Sequence, residues 1–135
     1  MSRAVIQYST RLVQAVPVML LALVCAAAVA DTARAGECGY KYCWGAVALG
    51  DLGAAGRASG MRSSPGAVDR AQQTCSGKCD IVEMFVNSCG AIAQDSKATA
   101  YFDWDDTRAL AEAKAMARCE AEGKGCRIRV WACSR

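Results

Sequence analysis

The chain has 135 residues, a net charge of +3 from 16 lysines and arginines against 13 acids, nine cysteines and no histidine. That length accommodates one domain, and the dispersed, nearly balanced charge argues against the concentrated basic face of a nucleic-acid binder or a polybasic membrane surface. Without imidazole there is no Ser-His-Asp or Cys-His nucleophile and no histidine-rich catalytic zinc site.

Residues 1–30 read as a secretory signal peptide. Arg3 and Arg11 precede an apolar run from Leu12 to Ala30, which ends in Ala28-Val29-Ala30, a small-x-small cleavage pattern that places the mature start at Asp31. A second such pattern, Ala33-Arg34-Ala35, offers Gly36 instead. The uninterrupted stretch from Val16 to Val29 falls short of the roughly 20 residues a membrane span needs. Lipid modification at Cys25 is disfavoured by Val24 before it. Removing residues 1–30 lowers the net charge to +1, so an exported form without a membrane anchor is expected, periplasmic or secreted.

Eight cysteines remain after Cys25 is set aside: Cys38, Cys43, Cys75, Cys79, Cys89, Cys119, Cys126 and Cys133. An even count in a short exported domain reads as a disulfide framework. The competing reading, a thiolate metal site, wants C-x-x-C knuckles in a reducing compartment. The spacings here are C-x4-C, C-x3-C and C-x6-C.

Residues 31–42 read as an N-terminal extension and 43–135 as one α+β domain containing a degenerate internal repeat, with units at about 43–88 and 89–135. The first unit opens on the apolar strand Trp44-Gly45-Ala46-Val47-Ala48 and the second on Gly90-Ala91-Ile92-Ala93 after Cys89. Helices are expected over 64–75, capped by Ser64 before Pro65, and over 107–119, capped by Thr107. Asp103, Asp105 and Asp106 are expected on a loop, favouring the dipole of the second helix. Ala67, Val68, Ala71 and Cys75 mark the buried side of the first helix. Residues 81–86 and 128–132 form the closing strands, while 55–60 and 98–102 are weaker strand candidates. In the last strand Ile128, Val130 and Ala132 alternate with Arg127, Arg129 and Trp131, the pattern of a sheet with one covered face. The expected architecture is therefore two degenerate strand-helix-strand repeats forming one mostly antiparallel sheet, with two helices on one face.

Equivalent positions in the two units suggest Cys75–Cys79 and Cys119–Cys126 as local pairs, with Cys38–Cys43 as a third. Cys89–Cys133 is left to close the longest loop. Eight cysteines admit many other connectivities.

Arg127, Arg129 and Trp131, on one face of the last strand, are the candidate recognition patch; the competing reading has the arginines stack on the indole and cover it. Glu83 is the candidate acid or base of a hydrolase acting on cell-wall or other glycans, although alternation with Val82 and Met84 places it on the solvent side of the sheet. Trp44 reads as core, and Trp104 as a possible platform residue. No cofactor or metal is implied. The function these residues favour is a non-catalytic binding or effector protein with a protein or glycan partner. The alternatives are that hydrolase and a structural envelope component.

The combination of Trp44-Gly45-Ala46-Val47-Ala48, the helix closing at Cys75, Cys79 with its following strand, Ser88-Cys89-Gly90-Ala91-Ile92-Ala93 and Val130-Trp131-Ala132-Cys133 resembles the bacterial exported family called domain of unknown function 4189. The resemblance implies a bacterial source, export, a single α+β domain and no established activity. The chain departs from some mycobacterial members of that family in its fuller cysteine set, notably Cys38 with Cys43 and Cys119 with Cys126.

Overall fold

The computed structural model describes residues 38–135. The signal segment 1–30, its cleavage sites and Cys25 lie outside the described residues, as does most of the extension.

Each half of the described chain runs strand, strand, helix, strand. The first half comprises β1 (Trp44–Leu49), β2 (Ala55–Met61), α1 (Ser64–Gln73) and β3 (Ile81–Val86), with a single 3₁₀ turn (Asp51–Gly53) between its first two strands. The second half comprises β4 (Ser88–Gln94), β5 (Ala100–Asp105), α2 (Arg108–Glu122) and β6 (Arg127–Ser134). All pairings are antiparallel, and the opening strand of each half is central, in the orders β2-β1-β3 and β5-β4-β6.

The protein is thus α+β and antiparallel with two helices and four disulfides, but its strands form two three-stranded sheets rather than one. Nor do the helices share a face. Ala46, Ala48 and Ala58 of the first sheet bury against Ala67 and Ala71 of α1, while Cys89, Ala91 and Ala93 of the second bury against Ala111, Ala115 and Cys119 of α2. Between the sheets, Val47, Leu49 and Phe85 meet Ile92, Val130 and Ala132. The layers run α1, first sheet, second sheet, α2. The sequence signal for this was the apolar run over all of β1 and over residues 89–93 within β4, since a run with no polar positions has both faces covered.

The motif Gly-Ala-(Val/Ile)-Ala has a packing reason at every position. Alanines at alternate positions let a helix lie close, and the branched residue between them points into the space between sheets. The glycines make room for Phe85: a Cβ on Gly45 would lie 2.3 Å from its ring and one on Gly90 2.4 Å. On β2, a Cβ on Gly56 would come 2.0 Å from the Ala71 carbonyl oxygen. The same glycine that weakens β2 as a strand therefore admits α1.

Helix α1 is capped by Ser63 rather than Ser64: the Ser63 hydroxyl accepts from Gly66 N–H at 3.3 Å, with Ser64 and Pro65 already helical. Thr107 caps α2 by accepting from Leu110 N–H, and α2 continues past Cys119 to Glu122. At the other end of α1, Thr74 Oγ1 accepts the Arg57 N–H at 3.0 Å and lies 2.9 Å from the Arg57 carbonyl. This covers the free edge of β2, which would otherwise present unpaired backbone groups.

The disulfides join Cys38 to Cys43, Cys75 to Cys79, Cys89 to Cys133 and Cys119 to Cys126. Two close the turns that follow α1 and α2. Cys89 and Cys133 stand directly opposite each other on β4 and β6. Among the described residues no helix is long and apolar enough to cross a membrane, and four disulfides fit an oxidising compartment.

Candidate functional site: an arginine–tryptophan groove

The strand β6 does not alternate evenly, because it carries a bulge. Ile92 pairs with Val130 but Ala93 pairs with Ile128, so Arg129 is an extra residue with no partner on β4. A bulge re-aims the side chains around it. Val130 and Ala132 face the other sheet, as expected, whereas Ile128 lies with Trp131 and Cys133 on the α2 side. The expected single face of Arg127, Arg129 and Trp131 is therefore split.

Arg127 and Arg129 line a cleft of about 670 Å³ at the end of the molecule, where Asp51, Asp80 and Asp95 also sit. The guanidinium of Arg129 is held there, Nη1 donating to Gln94 Oε1 at 2.8 Å. A Cβ on Gly53 would lie 2.4 Å from Nη2, so the glycine leaves this head its space. Two non-glycine residues in the left-handed region, Leu52 (φ 54°) and Ala98 (φ 68°), line the same cleft. Leu52 is fully exposed at the rim. Strained backbone of this kind persists only where the surroundings impose it, and it clusters at functional sites.

Trp131 lies instead at a groove of about 530 Å³ between the edge strands β2 and β6, lined also by Arg57, Arg70, Thr74, Met61 and Arg129. Its indole packs against the alanine cluster under α2. Two arginines do stack on it, but they are not its strand neighbours: Arg108 lies 3.7 Å and Arg57 5.8 Å from the ring centroid. Arg129 lines both cavities and links them. Neither Arg57 nor Arg108 carried a sequence signal, since each reaches Trp131 from another element.

The remaining candidates lie elsewhere. Glu83 pairs with Val47, so it sits on the face toward the second sheet and not on a solvent face. It is half-buried because β3 is an edge strand. It lines neither cavity, and among the described residues its carboxylate has no hydrogen bond or ion pair. Trp44 packs against the core under α1, and Trp104 is exposed on β5.

The acidic cluster is not a capping loop: Asp103 and Asp105 belong to β5 and pair with α2, Asp103 with Arg118 at 3.6 Å and Asp105 with Lys114 at 2.5 Å. The hydrogen bond from Lys114 holds the Asp105 carboxyl below its ordinary value, helped by the Asp106 N–H, and in return raises Lys114. Among the described residues no three His, Cys, Asp or Glu side chains are grouped to hold a metal, and the eight cysteines there are all in disulfides.

Among solved structures, the chain is similar to the NMR structure of Rv1813c from Mycobacterium tuberculosis, with 26% identity, a TM-score of 0.55, and coverage of 98% of this chain and 97% of that one. A comparison with curated proteins found no match. The family model described as Domain of unknown function (DUF4189) matches residues 44–133, from the first residue of β1 to the cysteine that ties β6 to β4, and the chain belongs to that family.

Proposed function

We propose that this is an exported, non-catalytic binding or effector protein that recognises its partner, a protein or a glycan, with the groove between β2 and β6. The observation that carries the reading is the placement of Arg57 against Trp131: a cationic group and an indole, the residue types enriched at binding hot spots, are contributed by two sheets whose edges meet there. The groove is preorganised. The backbone of Arg57 is clamped by Thr74, Trp131 is seated on α2, and four disulfides restrain the elements around them. Rigid presentation lowers the entropic cost of binding. A chain without histidine has no His-activated serine or cysteine, and its eight described cysteines are in disulfides.

Export by a signal peptide over residues 1–30 is part of the proposal, supported by the disulfides and by the apolar run that ends at Ala30. Expression of the full chain with a C-terminal tag in a bacterial host tests it, with the exported form expected to begin at Asp31. The groove is tested by crosslinking tagged wild type and an Arg57→Ala/Arg70→Ala variant to envelope or host material. A partner captured by wild type and lost from the variant supports the reading, and equal capture by both overturns it.

A further inference from the structure

We infer that the groove between β2 and β6 is an oxyanion site, taking a ligand that carries phosphate, sulfate or carboxylate groups. The inference rests on the binding role proposed above and names the ligand class of that same site. Two arginines, Arg57 and Arg70, line this groove, Arg129 stands at its border with its guanidinium held in the end cleft, and no carboxylate lines the groove. Among the described residues neither Arg57 nor Arg70 is in an ion pair. The neighbouring end cleft is balanced, with Asp51, Asp80 and Asp95 beside Arg127 and Arg129.

What orients Arg57 in the groove is neutral. Arg57 is steadied by the Trp131 ring, 5.8 Å from its centroid. An arginine held by a carboxylate is already neutralised, but one held by an indole keeps its full charge while losing its freedom. That is the condition in which a guanidinium binds an oxyanion best, since its planar fork matches the two oxygens and little entropy remains to be lost. Like charges gathered without counterions also repel one another, and a bound anion relieves this. The volume, about 530 Å³, lies within the range of roughly 300–1,000 Å³ typical of small-ligand sites.

The test uses the disulfide-bonded protein, titrated calorimetrically at low ionic strength with inorganic pyrophosphate, a sulfated disaccharide and digalacturonate. Saturable binding of at least one probe is expected, weakened about tenfold or more by Arg57→Gln with Arg70→Gln, as the loss of two charge-assisted contacts requires. The probe that binds identifies the oxyanion. Arg127→Gln, in the other cleft, should bind as wild type does, and unchanged circular dichroism shows that the variants are folded. Binding of none of the three probes overturns the assignment, as does equal weakening by Arg127→Gln or wild-type affinity in the double variant. If no probe binds while the double variant still loses its crosslinked partner, the oxyanion assignment falls and the binding role stands. Probe binding without any partner lost has the opposite meaning.

Discussion

The ring of Phe85 on β3 occupies the space that a side chain on Gly90 of β4 would need: a Cβ there would fall 2.4 Å from Phe85 Cδ1. Phe85 crosses from the first sheet to the second and is nearly fully buried, so the two residues set the spacing of the layers. Gly90→Ala should destabilise the protein by about 1–3 kcal/mol through overpacking, and Phe85→Ala by about 3–5 kcal/mol through the cavity it leaves. Because both changes act on one space, the double variant should lose less than the two single losses added together. Denaturant unfolding measures all three, and strictly additive losses would count against this packing.

Cys89 and Cys133 close a loop with a sequence separation of 44, against 4 for Cys75 and Cys79. In the chain-entropy account the longer crosslink is worth ~4 kcal/mol and the shorter ~2 kcal/mol. Replacing the first pair by alanine should therefore lower the denaturation midpoint about twice as far as replacing the second. Equal losses would show that native geometry, and not loop closure, governs the contribution.

The Asp105–Lys114 pair gives stability a defined pH dependence. The hydrogen bond from Lys114 holds the folded Asp105 carboxyl below its ordinary 3.8. Its contribution is therefore present above that pH and lost as the pH falls through the lower folded value. Lys114 is raised above 10.5, chiefly by the hydrogen bond to Asp105, so its contribution is complete below that pH and lost as the pH rises through the higher folded value. Asp105→Asn should remove part of the acid limb and lower the alkaline limb as well. Melting temperatures of the two proteins from pH 2 to 11 decide it, and parallel curves would contradict the linkage.

Arg108 lies 3.7 Å from the Trp131 centroid and also pairs with Glu112 at 2.8 Å. The stacking contact is worth about 0.5–1 kcal/mol and the exposed helical pair about 0.3–0.5 kcal/mol. Arg108→Gln should cost more than Glu112→Gln and should shift indole emission, whereas Glu112→Gln should leave the emission alone. A larger loss from Glu112→Gln would place the weight on the ion pair.

Much of the candidate site was hidden for a geometric reason. The strands and helices follow from local periodicity, and even β2, weakened by Gly56, was visible as a strand candidate at residues 55–60. The orientation of Trp131 relative to Arg127 and Arg129 also looked like a matter of period two, but the extra residue Arg129 breaks that period, and a bulge leaves no mark in a run such as Arg-Ile-Arg-Val. Arg57 and Arg108 meet Trp131 only because β2 and α2 are brought to β6 by the packing of the layers.

The order of the elements, the α+β class and the apolar Gly-Ala-(Val/Ile)-Ala strands were determined by the sequence alone, because helix and strand signals are carried by neighbouring residues. The number of sheets, the opposite placement of the helices, the inward face of Glu83 and the partners of Trp131 were decided by the tertiary structure. Each depends on contacts between residues far apart in the chain. A central strand apolar on both sides requires two covering layers, but which element supplies each layer is settled only when all of them compete for the same buried surface.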